Sequence, residues 1–140
     1  ETLLGNTSGA LGYAEKLYLS NPDSVEDAYP LIRSYILLER FEETQKLISD
    51  CLLKAKTANQ RSQLNYLLSL TQKDDQKLES LRKALLENLQ NLEALLAVSK
   101  FYKERGDIRQ AYRYLKQASA LRPGDPDINR DIQDLERLMK

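Results

Sequence analysis

The stretch KERGDIRQAYRYLKQASALRP, residues 103–123, decides the fold. Its small and apolar residues recur at spacings of three or four, which is the periodicity of one face of an α-helix. They are Ile108, Ala111, Leu115, Ala118 and Leu121. A second stripe with the same spacing precedes Gly106, and it consists of Leu95, Val98, Ser99 and Tyr102. Pro123 ends the second helix, so the pattern predicts a helix–turn–helix pair over residues 92–125.

The same stretch contains the tripeptide Arg105-Gly106-Asp107, which is familiar as an adhesion signal in cell-surface proteins. Gly106 accepts the left-handed backbone conformation that ends many helices. Asp107 is a preferred N-cap residue, and Gln110 stands where a capping box needs it. Because the tripeptide falls at the corner between two predicted helices, we interpret it as a turn and not as an adhesion loop.

The helix pair recurs upstream at intervals of 33 to 34 residues, and a period of this length indicates a stack of structural units. One interval upstream, the positions of Val98, Tyr102, Leu115 and Ala118 hold Leu64, Leu68, Leu81 and Ala84. Two intervals upstream they hold Leu31, Tyr35, Ile48 and Cys51. Three intervals upstream, Gly5, Ala10, Tyr13 and Pro22 match Gly106, Ala111, Tyr114 and Pro123.

This set of residues resembles the tetratricopeptide repeat. The resemblance covers nearly the whole chain and is strongest over 92–125. The chain departs from the family pattern at Leu95, where tryptophan is frequent, and at Lys77 and Leu89, where alanine and proline are usual. Another α–α repeat, of the half-a-tetratricopeptide or pentatricopeptide class, is the alternative.

The resemblance implies an all-α fold, a right-handed α–α superhelix of antiparallel helix pairs that ends in a capping helix. A helix pair cannot bury its own apolar face, so stacked neighbours stabilise one another. Residues 1–24 are expected to be a truncated repeat that retains only its second helix, at 8–20. Three repeats follow at 25–57, 58–91 and 92–125, of which the middle one is degenerate, and residues 126–140 form the capping helix.

Two helix starts depend on single residues. Asp125 and Pro126 have the types expected at an N-cap and at the first helical position. The helix they start has one apolar face, which consists of Ile128, Ile132, Leu135 and Met139. Pro30 follows Ser24, a candidate N-cap, by several residues. The sequence leaves open whether that helix starts late, near Pro30, or is kinked there.

Composition argues against several functional classes. The chain of 140 residues has no histidine, which removes the commonest general base and metal ligand. It has 21 basic and 21 acidic residues, so no net charge attracts nucleic acid or an anionic membrane. No apolar run reaches the roughly 18 residues of a membrane span. We therefore expect no enzymatic activity, no metal or cofactor, no nucleic-acid partner and no membrane span in this segment.

Four local signals have ordinary structural explanations. The glycine-rich run at 5–12 lacks the Lys-Ser/Thr ending of a phosphate loop. The run KDDQK at 73–77 is interpreted as a solvated turn between helices and not as a carboxylate metal site. The tyrosines of 112–116 are interpreted as packing residues and not as a nucleic-acid surface. Cys51 falls in a small, buried repeat position, so we expect it to fill core space.

The compartment stays undetermined, with a soluble cytoplasmic location slightly favoured over a periplasmic or extracytoplasmic one. The chain begins at Glu1 and not at methionine, so we expect it to be an excised or processed piece of a longer polypeptide.

The resemblance implies a protein-interaction module that binds a partner peptide or protein in the concave groove lined by the first helix of each pair. The groove positions in this sequence are Tyr29, Arg33, Ile36, Ser62, Tyr66, Ser69, Leu96, Lys100 and Lys103. The basic residues among them favour an acidic partner.

One tetratricopeptide subclass clamps the C-terminal carboxylate of heat-shock chaperones. The clamp positions hold Tyr29, Arg33, Gln63, Tyr66, Ala97 and Lys100 here, so we expect no binding of that type. The alternative function is a structural or oligomerisation scaffold, which self-associates through the N-terminal helix as a homodimer or packs within a larger polypeptide.

Overall fold

The computed structural model describes residues 2–140, without the side chains of residues 2–8 and 10, and it is all-helical over this range. Eight helices follow one another along the described chain. They are α1 (Thr2–Ser20), α2 (Val25–Leu37), α3 (Phe41–Lys54), α4 (Ala58–Ser69), α5 (Asp74–Glu87), α6 (Leu92–Glu104), α7 (Ile108–Leu121) and α8 (Pro126–Met139).

Each helix packs against the next one in sequence, and α2 also contacts α4. Helices α2 and α3, α4 and α5, and α6 and α7 form three antiparallel pairs, while α8 covers α7. The first helices of the pairs therefore lie side by side in one layer and the second helices in another. This all-α solenoid confirms the fold class predicted from the sequence.

Small residues lie at close contacts between the two helices of the second and third pairs. In the third pair the buried Ser99 of α6 donates its hydroxyl proton to the carbonyl of Ala111 in α7, at 2.8 Å. In the second pair the buried Ser62 of α4 donates to the carbonyl of Ala84 in α5, at 2.6 Å. A larger side chain at such a contact would overpack it, at a cost of about 1–3 kcal/mol.

The apolar side chains form two buried clusters that meet at α4. One cluster is built from α1 to α4 and includes Ile32 and Ile48. The other is built from α5 to α8 and includes Leu81 and Leu115. Tyr66 of α4 packs against both clusters, which joins the two halves of the solenoid.

The corner between α6 and α7 ends α6 with a complete Schellman motif. Gly106 has φ of 83°, and its N–H donates to the carbonyl of Lys103 at 3.0 Å. The N–H of Asp107 donates to the carbonyl of Tyr102 at 2.9 Å. The Asp107 carboxylate then accepts the N–H of Gln110 at 3.3 Å, which is the predicted N-cap.

The corner between α2 and α3 has the same Schellman hydrogen bonds, but its left-handed position holds a glutamate. The N–H of Glu39 donates to the carbonyl of Ile36 at 3.0 Å, and the N–H of Arg40 donates to the carbonyl of Tyr35 at 2.9 Å. Glu39 has φ of 57°, so a side chain stands where the other corner has glycine. A left-handed conformation costs a non-glycine residue about 1–2 kcal/mol.

Two expectations about helix starts are corrected or decided by the structure. Helix α1 begins at Thr2, so the corner expected at Gly5 and the helix start expected at residue 8 are wrong. The match proposed for the side chain of Ala10 lies outside the described residues. Helix α2 begins after Ser24, whose hydroxyl accepts the N–H of Asp27 at 3.2 Å. Pro30 lies inside α2, so this helix does not start late.

The last helix starts as predicted. The Asp125 carboxylate accepts the N–H groups of Asp127 and Ile128 at 2.9 and 3.1 Å, and Pro126 is the first helical residue. Ile128, Ile132 and Leu135 are buried against α7 and its neighbours. Met139, which the pattern placed on the same face, is instead 45% exposed at the last position of the helix.

We expect Glu39→Gly to stabilise the protein. The change removes the left-handed strain of about 1–2 kcal/mol and adds about 0.5–1 kcal/mol of glycine entropy, so the free energy of unfolding should rise by about 0.5–1 kcal/mol. Urea unfolding followed by circular dichroism measures this difference. Gly106→Ala is the matched control and should destabilise, since space is open around its Cβ but φ is positive. A destabilised Glu39→Gly variant would contradict the assigned strain.

Candidate functional site

We call the surface formed by the first helices of the pairs, α2, α4 and α6, the first-helix groove. Between α4 and α6 this surface contains a cavity of about 470 Å³. The cavity combines aromatic, aliphatic and charged side chains. Its lining consists of Tyr66, Leu70, Lys77, Glu93, Leu96, Ala97, Lys100, Phe101 and Glu104.

Tyr66 lies at the centre of the groove. Burial is the main cause that raises the pKa of its phenol, and the Glu93 carboxylate adds to this while Arg33 opposes it. The phenol therefore lies within electrostatic reach of α2 on one side and α6 on the other. Glu93 also accepts a hydrogen bond from the Gln63 side chain at 3.3 Å, so α4 and α6 are bridged beside it.

The α2 side of the groove contains the other predicted tyrosine. Tyr29 is half-buried, and burial together with the nearby Glu26 and Cys51 raises the pKa of its phenol to about 12, against a smaller opposing effect of Arg33. Arg33 itself is exposed to solvent. Ile36 is half-buried against the N-terminal apolar cluster, so less of its surface is open to a partner.

The α6 side brings two of the three predicted residues into the cavity. Leu96 is half-buried and Lys100 is exposed, and both line it. Lys103 is exposed but is not among the lining residues. The structure thus brings Tyr66, Leu96 and Lys100 together as one surface.

The placement of Ser62 and Ser69 on the groove surface is wrong. Ser62 is 1% exposed and Ser69 is 0% exposed. The Ser62 hydroxyl accepts a hydrogen bond from the Asn91 side chain at 2.8 Å while it donates to α5, and Asn91 in turn caps α6 by accepting the N–H of Ala94 at 3.0 Å. A small polar residue on a helix suits either a crossing or a surface, so residue type alone does not separate the two.

Lys77, which departs from the repeat pattern, lines the same cavity. Its ammonium donates to the carbonyl of Ser69, near the end of α4, at 3.0 Å. Burial is the main cause that lowers the pKa of this lysine, with Lys100 adding to the effect and Glu104 opposing it. A half-buried cation therefore lies at the base of the groove beside a second, exposed cation. Its signal in the sequence was a charge at a position usually occupied by alanine.

The charged ends of the Arg105-Gly106-Asp107 tripeptide have partners within the chain. Arg105 forms an ion pair with Asp74 at 3.0 Å, and its guanidinium lies 4.5 Å from the centre of the Phe101 ring. Asp107 accepts the capping hydrogen bond of α7. The tripeptide is part of the corner between two helices, as the sequence analysis interpreted it.

Over the described residues, no group of three acidic or cysteine side chains converges so as to hold a metal ion. Cys51 is 1% exposed, and burial raises the pKa of its thiol above the ordinary value. No helix in residues 2–140 combines the length and the apolar character needed to cross a membrane.

Comparison with known proteins relates the chain to solved structures only. The sequence matches no family model and no curated protein. The crystal structure of MamA is similar to 97% of this chain over 80% of its own length, with a TM-score of 0.71 at 15% identity. A second MamA structure gives 0.69 at 15% identity over 97% of this chain and 75% of that one. The MamA RS-1 ArsTM double mutant gives 0.62 at 16% identity, over 89% and 72% respectively. The likeness supports a helical solenoid of the tetratricopeptide type.

We expect Ser62→Ala to destabilise the protein more than Ser99→Ala. The first change leaves a buried Asn91 N–H without its acceptor, which costs about 1–3 kcal/mol, whereas the second removes one hydrogen bond worth about 0.5–1.5 kcal/mol. Urea unfolding of the two variants in parallel gives both differences. Equal losses would show that the Asn91 side chain finds another partner.

We expect Lys77→Met to stabilise the protein at neutral pH. The pKa of Lys77 in the folded chain is below its ordinary value of 10.5, so the unfolded chain holds this proton more tightly. The wild-type free energy of unfolding should therefore rise as pH increases through the range just below 10.5, and the variant should lack this rise. Urea unfolding at pH 7 and pH 10 tests it, with the exposed Lys83→Met as control. An identical pH response of Lys77→Met and the wild type would refute the prediction.

Proposed function

We propose that this chain is a protein-interaction module that binds a segment of a partner protein in the first-helix groove. The observation that carries the proposal is the cavity between α4 and α6, where Tyr66, Leu96 and Lys100 form one accessible surface. Tyrosine supplies a large contact area with a polar end, and it is enriched at the energetic centres of interfaces.

The charges in the cavity favour a partner segment with at least one acidic side chain. Lys77 and Lys100 supply two ammonium groups on the same lining. The Glu93 carboxylate already accepts the Gln63 amide, and the pKa of Lys77 stays lowered although Glu104 is near. A carboxylate placed between the two lysines would offset their mutual repulsion, which gives the module a preference for acidic segments.

The chaperone-tail clamp does not fit these residues. Its positions include Ala97, which has no polar side-chain atom, and Gln63, whose amide is bonded to Glu93. The expected ligand is therefore an internal or terminal segment of the partner that packs against Tyr66 and contacts Lys77 and Lys100. The same surface offers no pair of groups arranged for acid–base catalysis, so we propose a binding role and no enzymatic one.

Affinity capture tests the groove directly. We expect the tagged chain to retain a defined partner that the Tyr66→Ala/Lys100→Ala double variant loses, because both contact atoms and one charge are removed. Quantitative mass spectrometry of the eluates measures the loss, and isothermal titration with the identified segment should give a Kd at least about tenfold weaker, which corresponds to about 1.4 kcal/mol.

The matched control changes residues of the same types away from the groove. Tyr13 is 70% exposed on α1 and Lys116 is exposed on α7, so Tyr13→Ala/Lys116→Ala should leave partner capture unchanged. Circular dichroism of both double variants checks that they remain folded. Partner capture that survives the groove double variant would rule out this surface as the binding site.

A scaffold that self-associates through α1 is the second candidate function. The observation in its favour is apolar surface on that helix, where Tyr13 is 70% and Leu19 is 75% exposed. Beside Leu19 a cavity of about 570 Å³ opens between α1, α2 and α3. Light scattering over a range of concentrations distinguishes the candidates, since a chain that stays monomeric does not use α1 as a dimer contact.

A further inference from the structure

Helices α1, α3 and α5 carry a series of exposed leucines. Leu19, Leu53 and Leu86 stand at the same repeat position, which corresponds to Ala120 in α7. They are 75%, 88% and 83% exposed. Isolated exposed leucines need no explanation, but one of the three lies beside a cleft and a fourth exposed leucine.

That cleft lies between α5 and α7, on the layer of second helices, and we call it the second-helix cleft. It has a volume of about 350 Å³. Leu85 and Leu95 form part of its lining and are 8% and 1% exposed, while Leu86 and Leu89 line it with 83% and 74% of their surface exposed. The cleft therefore has a closed apolar base and an open apolar rim.

The charge of the second-helix cleft has one sign. Arg82 of α5 and Arg113 of α7 line it, and the structure places no carboxylate in its lining. Both arginines bond only neutral acceptors in the described chain: Arg82 bonds the Tyr102 hydroxyl at 3.1 Å, and Arg113 the Gln110 side chain at 3.4 Å. Two guanidinium groups without ion pairs thus stand on opposite walls of an apolar cleft.

We propose that the second-helix cleft is a second docking site, which binds a helical segment of a partner protein with a large apolar side chain flanked by carboxylates. The apolar side chain fills the space above Leu85 and Leu95 and covers Leu86 and Leu89. Carboxylates three or four residues away on the partner helix reach Arg82 on one wall and Arg113 on the other. Arginine suits this role because its planar guanidinium bonds a carboxylate through two N–H groups.

The lining argues against an anionic membrane as the occupant. A lipid surface is flat and would reach the rim leucines without filling the base. The adjoining cavity on the same helix is lined by Asp75 and Glu79 as well as by Arg82 and Lys83, so this face has no excess of positive charge to attract acidic headgroups. A protein helix can instead place its carboxylates on the arginines alone.

The test uses a fluorescein-labelled synthetic peptide of 16 residues, helical in design, with leucines on one face and glutamates on both flanks of that face. Fluorescence anisotropy against the intact chain should give a Kd of about 10–100 μM, typical of a short helix on an open groove. Leu86→Ser/Leu89→Ser and Arg82→Glu/Arg113→Glu should each weaken binding at least about tenfold. The peptide with glutamine in place of glutamate should bind as weakly.

Matched controls separate the cleft from the rest of the surface. Leu53→Ser changes an equally exposed leucine at the equivalent repeat position, and Lys116→Glu reverses an exposed charge on α7 that does not line the cleft. Both should bind the peptide like the wild type. The groove variant Tyr66→Ala/Lys100→Ala should also bind normally, because this proposal does not rest on the first-helix groove.

Several results would overturn the proposal. Absence of wild-type binding at 1 mM peptide, roughly tenfold above the upper expected Kd, is one. A second such result is that the cleft variants bind the peptide like the wild type. A third is that Tyr66→Ala/Lys100→Ala loses binding, which would place the peptide site in the first-helix groove. If vesicles of phosphatidylcholine and phosphatidylserine bind the wild type through Leu86 and Leu89, the occupant is a membrane. If sedimentation shows a dimer that Leu86→Ser/Leu89→Ser dissolves, the occupant is a second copy.

Discussion

The close contact between the two helices of a pair organises this solenoid. Ser62 on Ala84 and Ser99 on Ala111 let two backbones approach until a hydroxyl bonds the facing carbonyl. These contacts hold the two helices of the second and third pairs close together. The first-helix groove and the second-helix cleft are consequences of helix packing, since the cavity in each is lined by residues from three different helices.

The two surfaces differ in the kind of chemistry that they offer. The first-helix groove mixes a central tyrosine with lysines and glutamates, and some of its charges are already engaged within the chain. The second-helix cleft combines exposed leucines with two arginines that bond only neutral acceptors. A solenoid exposes both layers of helices along its length, so one short chain can present two independent surfaces to different segments.

The sequence predicted the elements well where local chemistry is decisive. Gly106, Asp107, Asp125 and Pro126 act at their own corners, through bonds that span only a few residues, and each lies where it was expected. Helix α1 was misjudged because Gly5 was taken as a corner by analogy with Gly106. The structure continues the helix through it, since a glycine permits a turn without requiring one.

The period, the helical class and the positions of most corners can be predicted from the sequence, because hydrophobic spacing and capping act over a few residues. The resemblance to the tetratricopeptide repeat made Tyr66, Leu96 and Lys100 candidates for one surface. Only the tertiary structure decided that Ser62 and Ser69 are buried, that Lys77 enters the groove and that Leu86 stands beside two arginines. These facts depend on the rotation of each helix against its neighbours, which is set by contacts between residues about 20 to 30 positions apart and is invisible in the local pattern.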